Sequence, residues 1–427
     1  MRVLVRALRS AACFVAWLVL RLAGAPPVPA QAGHTLVVAP GSALATLGAA
    51  VARAAPGDRI IVRAGIYREP LITVDKPLEI VGDGDAILDG ESAHGILVIA
   101  ADDVTVRRMH FRDVGVSYTS DLAAVRVLAV RNCDIEDNRI ERAFFGIYLA
   151  KSAGCRVLRN DIRGAARDEA GSGNGIHLWA AHDALIADNY VSGQRDGIYF
   201  EFVTHTVVRG NTSEHNLRYG LHFMYSDDCR YLDNTFRYNH AGVAVMYTHR
   251  VLMAGNRFES NWGDAAYGLL LKEIDDSRVE DNQFVRNTVA LSADGANRLV
   301  ASHNTFRSNG WAVRLVSSTD DARFEHNNFV DNTFDVGMRG GETTTRFAGN
   351  YWDAYRGYDL DRDGTGDAPF HPVRLFSLIV SRNPPTLLLL RSPFVTLLDQ
   401  VERAVPSLTP SSVVDDSPAV HPVRQAR

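Results

Sequence analysis

Asn234-Thr235-Phe236-Arg237-Tyr238-Asn239-His240-Ala241-Gly242-Val243-Ala244-Val245-Met246 states once a pattern that recurs through most of this 427-residue chain. An Asn is followed two residues later by an aromatic or aliphatic residue, and about eight residues later by Gly-hydrophobic-x-hydrophobic. The Asn returns at Asn138, Asn160, Asn189, Asn211, Asn234, Asn256, Asn282, Asn304, Asn327 and Asn350, at intervals of 22, 29, 22, 23, 22, 26, 22, 23 and 23. The Gly signature returns at Gly146, Gly175, Gly197, Gly220, Gly242 and Gly268. A fixed period in this range is the mark of a solenoid, in which each turn buries its apolar side against its neighbours. Short alternating runs such as Ile198-Tyr199-Phe200 make the turns β rather than helical. The expected fold is all-β, one elongated β-solenoid.

Side-chain alternation then assigns directions. Phe236, Phe258, Phe284, Phe306 and Phe329 should form an inward aromatic stack. The Asn column reads as structural, its amides bonding along the stack at a tight bend. Cys133 and Cys155 fall in one inward column on adjacent turns, about 4.8 Å apart. That spacing suits either stacked core thiols or a disulfide; Cys229 has no partner. Two turns are long, through 164–174 and 261–266, and insertions of this kind emerge as loops.

The ends differ. Arg2, Arg6 and Arg9, an apolar run from Ala11 to Leu20, and Ala30-Gln31-Ala32 form a secretory signal with a cleavage site. Its removal takes four Arg and no acid, moving the formal charge from −5 to −9. A mildly acidic mature chain gives no reason to expect nucleic acid as a partner. Ala43 to Ala55 should be a helix covering the open N-terminal end. Ser392-Pro393 opens a second helix with Phe394, Leu397, Leu398, Val401 and Val405 on one side, and Leu375, Phe376, Leu378 and Ile379 add apolar surface before it. Asp359, Asp361, Asp363, Thr365 and Asp367 follow the opening positions of an EF-hand-like calcium loop, but Phe370 stands where the bidentate Glu belongs.

Two outward columns carry the chemistry. One reads Tyr148, His177, Tyr199, His222, Ala244, Leu270, Ser292, Arg314, Gly337; its neighbour reads Ala150, Trp179, Glu201, Met224, Met246, Lys272, Asp294, Val316, Arg339. They make His222, Met224 and Met246 near neighbours. Thioether with imidazole is a soft set suited to Cu(I). His177 lies two turns from His222, roughly 9–10 Å away, so it flanks this set or binds separately. Tyr148, Trp179, Tyr199 and Glu201 make the same face a docking surface, the plainer reading. Met253 and Met338 should face the core. Exported β-solenoids are often polysaccharide lyases, hydrolases or epimerases. Hydrolysis needs paired carboxylates, yet Glu201 and Asp294 stand four turns apart, roughly 19 Å. No catalytic constellation emerges, and the chain is expected not to be an enzyme.

The strings Tyr219-Gly220-Leu221-His222-Phe223-Met224-Tyr225-Ser226, Gly242-Val243-Ala244-Val245-Met246-Tyr247 and Asn350-Tyr351-Trp352-Asp353 resemble the NosD family of nitrous oxide reductase maturation proteins. So do the Asp359–Asp367 loop and Arg374-Leu375-Phe376-Ser377-Leu378 followed by Leu387-Leu388-Leu389-Leu390-Arg391-Ser392-Pro393-Phe394. The resemblance runs from about Gly33 to about Leu408. It implies a right-handed parallel β-helix of the pectin-lyase-like type, in the periplasm and peripheral to the inner membrane. It further implies an ABC-type ATPase and its permease, a lipoprotein copper chaperone and nitrous oxide reductase as partners in assembling a copper–sulfur cluster. Leu375, Phe376, Leu378, Phe394, Leu397 and Leu398 would then dock the permease. Copper becomes the leading candidate for the His/Met face. The expected organisation is a signal over 1–32, cap and first coils over 33–135, regular coils over 136–352, acidic loop and apolar extension over 353–408, and a disordered tail over 409–427.

Overall fold

A computed structural model describes residues 33–405 and 413–424, except positions 118, 264–265, 317 and 341–343. The expected signal over 1–32 lies outside the described residues. Each regular coil holds three parallel strands, for example Arg230–Leu232, Thr235–Arg237 and Ala241–His249. Successive coils stack in register: Tyr231 opposite Met253, Phe236 opposite Phe258, Val243 opposite Leu269. The third strands form a 12-stranded sheet, called sheet B. The first two families join into a 25-stranded sheet, sheet A, at the N-terminal end. There Glu79–Asp89 pairs with both Thr105–Arg107 and His110–Arg112. The chain is a parallel β-helix, as its period predicts.

The corner between the first two strands explains the Asn column. The residue before the Asn sits in the left-handed region, with φ of 56° at Asp188, 54° at Asp233 and 53° at Asp281. This reverses the chain sharply and leaves buried backbone groups unpaired. Asn234 Oδ1 accepts both the backbone N–H of Asn211 at 3.0 Å and its Nδ2 at 2.9 Å. Asn234 Nδ2 in turn donates to Val208 O at 2.9 Å, and Asn256 Oδ1 accepts from Asn234. The ladder starts where Met109 N donates to Asn138 Oδ1.

A second ladder runs five residues behind the first, a feature the sequence reading overlooked. It starts at Gln194, whose N donates to Asn216 Oδ1, and continues through Asn239, Asn261, Asn287, Asn309 and Asn332. It serves the corner leading into sheet B and sits beside the Gly signature. A Cβ on Gly242 would lie 2.4 Å from Gly268 O and 3.0 Å from Asn261 Nδ2. The Gly is therefore set by close approach of coil to coil.

Inside, Phe236, Phe258, Phe284, Phe306 and Phe329 stack at centroid distances of 5.7, 4.6, 4.8 and 5.0 Å, and Trp352 closes the column on Phe329. Met253 and Met338 are buried in this core. Cys133 and Cys155 are joined as a disulfide between adjacent coils, with Cα atoms 4.5 Å apart, and Cys229 is buried and free.

Both ends are capped. At the N-terminal end helix α1 (Leu47–Arg53) is shorter than the expected Ala43 to Ala55. Thr46 caps it, and the Glu69 carboxylate accepts from the N–H groups of Leu47 and Gly48. At the other end α2 (Leu375–Arg382) and α3 (Pro393–Ala404) lie against sheet B, and the Glu402 carboxylate accepts from Leu375 N at 3.1 Å. Phe376 is buried with Val289, Trp311, Phe334, Val380 and Val395.

The tail corrects an expectation. Residues 413–424 are ordered against the last coil: Asp415 bridges to Phe347 and Phe370, and Ala419 to Tyr351. Asp415 Oδ2 accepts from Asn350 N at 3.1 Å, Asn350 Nδ2 at 3.0 Å and Trp352 Nε1 at 3.0 Å. One carboxylate thus completes the first ladder. The polar composition suggested disorder because the partner lies far away in sequence.

Asn234→Ala should cost on the order of 3 kcal/mol in chemical denaturation, because it strands the amides of Asn211 and the carbonyl of Val208. Asp415→Ala should make the 413–424 segment a site of limited proteolysis, whereas Asp415→Asn keeps an accepting oxygen and should stay resistant. Asp335, beside the last rung of the second ladder, accepts from Asn332 Nδ2 at 3.4 Å. Burial, partly offset by Arg374, pushes its carboxyl up to about 7. Below about pH 4 this group is protonated in both states. As pH rises toward 7 the unfolded chain ionises first, so the fold loses stability across that window. Asp335→Asn should therefore raise the thermal midpoint by an amount that grows from pH 5 to 7 and levels off above.

Candidate functional site

Sheet B carries its outward columns in the register expected from the sequence. Tyr148 pairs with His177, His177 with Tyr199, Tyr199 with His222, and His222 with Ala244. Alongside, Glu201 pairs with Met224, Met224 with Met246, and Met246 with Lys272. Met224 and Met246 therefore stand on adjacent strands, about 4.8 Å apart at the backbone. Both are partly exposed.

Burial divides this face into three parts. At its N-terminal end Tyr148 is buried with Phe145 and Ala150, and Trp179 packs against them. Tyr148 is thus a core residue and is withdrawn as a partner-binding one. Its ring begins a column in which His177 lies 4.5 Å from Tyr148 and 4.7 Å from Tyr199, and Tyr199 lies 5.1 Å from His222. Tyr199, Trp179 and Glu201 keep partial exposure. At the C-terminal end α2 and α3 cover the sheet. The middle, around Met224 and Met246, is open.

His222 is only 7 % exposed, and neither ring nitrogen has a hydrogen-bond partner. Its ring is wedged against Tyr199 and Tyr219, while the next residue in its column, Ala244, ends at Cβ. Burial pushes the imidazole down to about 4, although the Asp196 carboxylate pulls the other way. His177 Nδ1 accepts from Asn174 Nδ2 at 3.0 Å, and burial, aided by Arg195, takes it down to about 3. Both are neutral at pH 7, the form that ligates metal. The Tyr199 ring separates them, so they do not share one ion in this arrangement. The group that coincides is His222, Met224 and Met246.

An exposed aromatic ridge borders the two Met residues. Phe202, Tyr225 and Tyr247 follow Glu201, Met224 and Met246 in sequence. They have φ of 56°, 50° and 56° and stack at 5.3 and 5.1 Å. The sequence reading missed this ridge; its signal was the aromatic residue immediately after each outward column.

The C-terminal docking residues separate in the same way. Phe376 is buried, Leu378 and Leu398 pack against the core, and Leu375 is half-buried. Phe376 is therefore core rather than partner-binding, because α2 spends its apolar side on sheet B. Phe394, Leu397 and Leu388 remain exposed, Leu388 at 91 %. Among the described residues no helix is long and apolar enough to cross a membrane.

In the acidic loop the carboxylates of Asp359, Asp361 and Asp363 come within 4.8 Å of one another. Asp359 accepts from Arg362 N and Gly364 N, and Thr365 N donates to Asp363. Asp367 stands outside that group and accepts from Leu360 N. Phe370, where a bidentate Glu would close the loop, pairs its backbone with Asp415. The loop thus gathers three carboxylates but lacks the closing bidentate ligand of an EF-hand-like site.

Residues 162–357 match the family described as "Periplasmic copper-binding protein (NosD)". A Pseudomonas aeruginosa protein named "Probable ABC transporter binding protein NosD" is 32% identical over 88% of this chain and 94% of its own length. A Stutzerimonas stutzeri protein of the same name is 29% identical over 83% of this chain and 85% of its own. Among solved structures, the catalytic unit of an alpha-1,3-glucanase from Streptomyces thermodiastaticus superposes with a TM-score of 0.55 at 13% identity, over 70% of this chain and 64% of that one. At such identity the likeness concerns the fold alone. The sequence matches extend over nearly the whole length of the P. aeruginosa relative, and the chain belongs to the NosD family.

Proposed function

We propose that this protein is a periplasmic, non-enzymatic accessory subunit of an ABC-type transporter complex that serves copper–sulfur cluster assembly in nitrous oxide reductase. It takes Cu(I) as cargo on the open middle of sheet B and relays it between a lipoprotein copper chaperone and the reductase. The observation that carries this reading is the coincidence of Met224, Met246 and a buried His222 with two bare nitrogens. A Cu(I) ion prefers few, soft ligands, and two thioethers with one neutral imidazole supply them. The ridge of Phe202, Tyr225 and Tyr247 gives a partner an apolar border beside that set. The exposed side of α3, through Phe394 and Leu397, together with Leu388, faces the permease, whose ATPase drives the cycle.

The rival reading, an enzyme acting on a uronate polymer, draws on the fold alone. Glu201 and Asp294 are separated by three intervening strands of sheet B, so they cannot flank one glycosidic bond. The purified protein should be inert on uronate polymers while co-purifying with a membrane permease; turnover would favour the enzyme.

Met224→Leu with Met246→Leu conserves volume and should cost less than about 1.5 kcal/mol of stability. The double variant should lose Cu(I) retention by roughly tenfold or more in a competition titration. It should also lower the cluster content of the reductase matured with it. Unchanged values in both measurements would reduce the pair to docking surface.

A further inference from the structure

Between the outer face of sheet B and α2 lies a cavity of about 120 Å³. That is several times the ~15 Å³ one water needs. Tyr267, Leu270, Ser292, Arg314 and Arg339 line it, and Ser381 of α2 forms part of its wall. Arg314 is partly buried and projects from the same column as His222, four strands further on. It has no hydrogen bond and no ion pair with any described residue, and its guanidinium lies over the ring of Trp311, 5.4 Å away. Arg126, at the other end of this column, stacks on Tyr148 in the same manner but also pairs with Asp121 at 3.3 Å. Arg218, half-buried just before the sheet B strand Tyr219–Met224, is held by both oxygens of Asp196 at 2.9 and 2.6 Å. Arg314 alone of these three lacks its carboxylate.

Its surroundings add no compensation. Arg339 brings a second positive charge to the cavity. The single acid among the described lining residues, Asp294, accepts from Ser318 Oγ at 3.0 Å. Burial, with a smaller contribution from Arg339, lowers the Arg314 pKa, and Tyr267 acts the other way. The platform is fixed in place: a Cβ on Gly337 would meet the Trp311 ring at 2.5 Å, so Gly337 is what allows that ring to lie beneath the guanidinium. The Arg314 guanidinium is half-buried, with its nitrogens open to the cavity, so an incoming anion can make charge-assisted hydrogen bonds to it without breaking an existing ion pair.

We propose that this cavity is an anion-binding site, in which Arg314 and Arg339 take a carboxylate or a similarly small oxyanion with Ser292 at its rim. The anion is either a free ion or the acidic side chain of a docked protein, since both present the same planar oxygens to a guanidinium fork.

The test titrates the full chain at constant ionic strength, set with chloride, and reads the thermal midpoint and the heat of binding. The probes are sodium sulfate, sodium acetate and an end-blocked Gly-Glu-Gly peptide. Wild type should show saturable binding of at least one probe, and Arg314→Gln should weaken it roughly tenfold or more. Exposed Arg63→Gln should bind as wild type does. Binding of sulfate or acetate assigns the site to a free ion, and binding of the peptide alone assigns it to a partner's carboxylate. No saturable binding by wild type, or equal responses in wild type and Arg314→Gln, would overturn the proposal.

Discussion

Every corner of a β-solenoid leaves buried amides that no neighbouring strand can reach, and the rest of this structure depends on how they are paired. Here the Asn at the corner between the first two strands of a coil accepts two hydrogen bonds from the coil before it and returns one to that coil's backbone. An unpaired buried donor costs ~1–3 kcal/mol, and the corner repeats along the whole helix. The ladder is therefore a condition of closure. It also fixes register, because an Asn can serve only the corner directly above it. Sheet B inherits that register, which is why its outward columns carry one residue per coil without slippage.

The face that results is partitioned by what packs on it. Phe145 and Tyr148 close one end and α2 with α3 close the other, leaving Met224, Met246 and the ridge of Phe202, Tyr225 and Tyr247 between them. Within this strip the soft donors sit beside neutral imidazoles held by aromatic rings, and the unmatched Arg314 lies under α2. The His/Met group and Arg314 thus occupy different stretches of one sheet face, with three strands between His222 and Arg314.

Much of this was legible in the residues. The period of the Asn column and the alternation on each strand separated outward Met224 and Met246 from buried Met253 and Met338, because parity survives every coil. The second ladder has the same period, an Asn five residues after the first, but it begins later, at Gln194, and shares its corner with the Gly signature. What parity could not supply was coverage. Whether Tyr148 or Phe376 meets water depends on aromatic neighbours and helices arriving from elsewhere in the chain. The Cys133–Cys155 disulfide likewise depended on side-chain direction within a column whose spacing permitted either state.

Asp415 gives the ladder an unusual dependence on the order in which the chain is made. Its carboxylate binds a rung 65 positions earlier, at Asn350, and the indole of Trp352. A chain that emerges amino end first can stack coil upon coil as it appears, each new Asn closing the one before. Through all of that growth the newest edge is an open template for further pairing. That edge is sealed only when the segment carrying Asp415 has followed all the coils. A chain interrupted between Trp352 and Asp415 is therefore marked by an exposed strand edge.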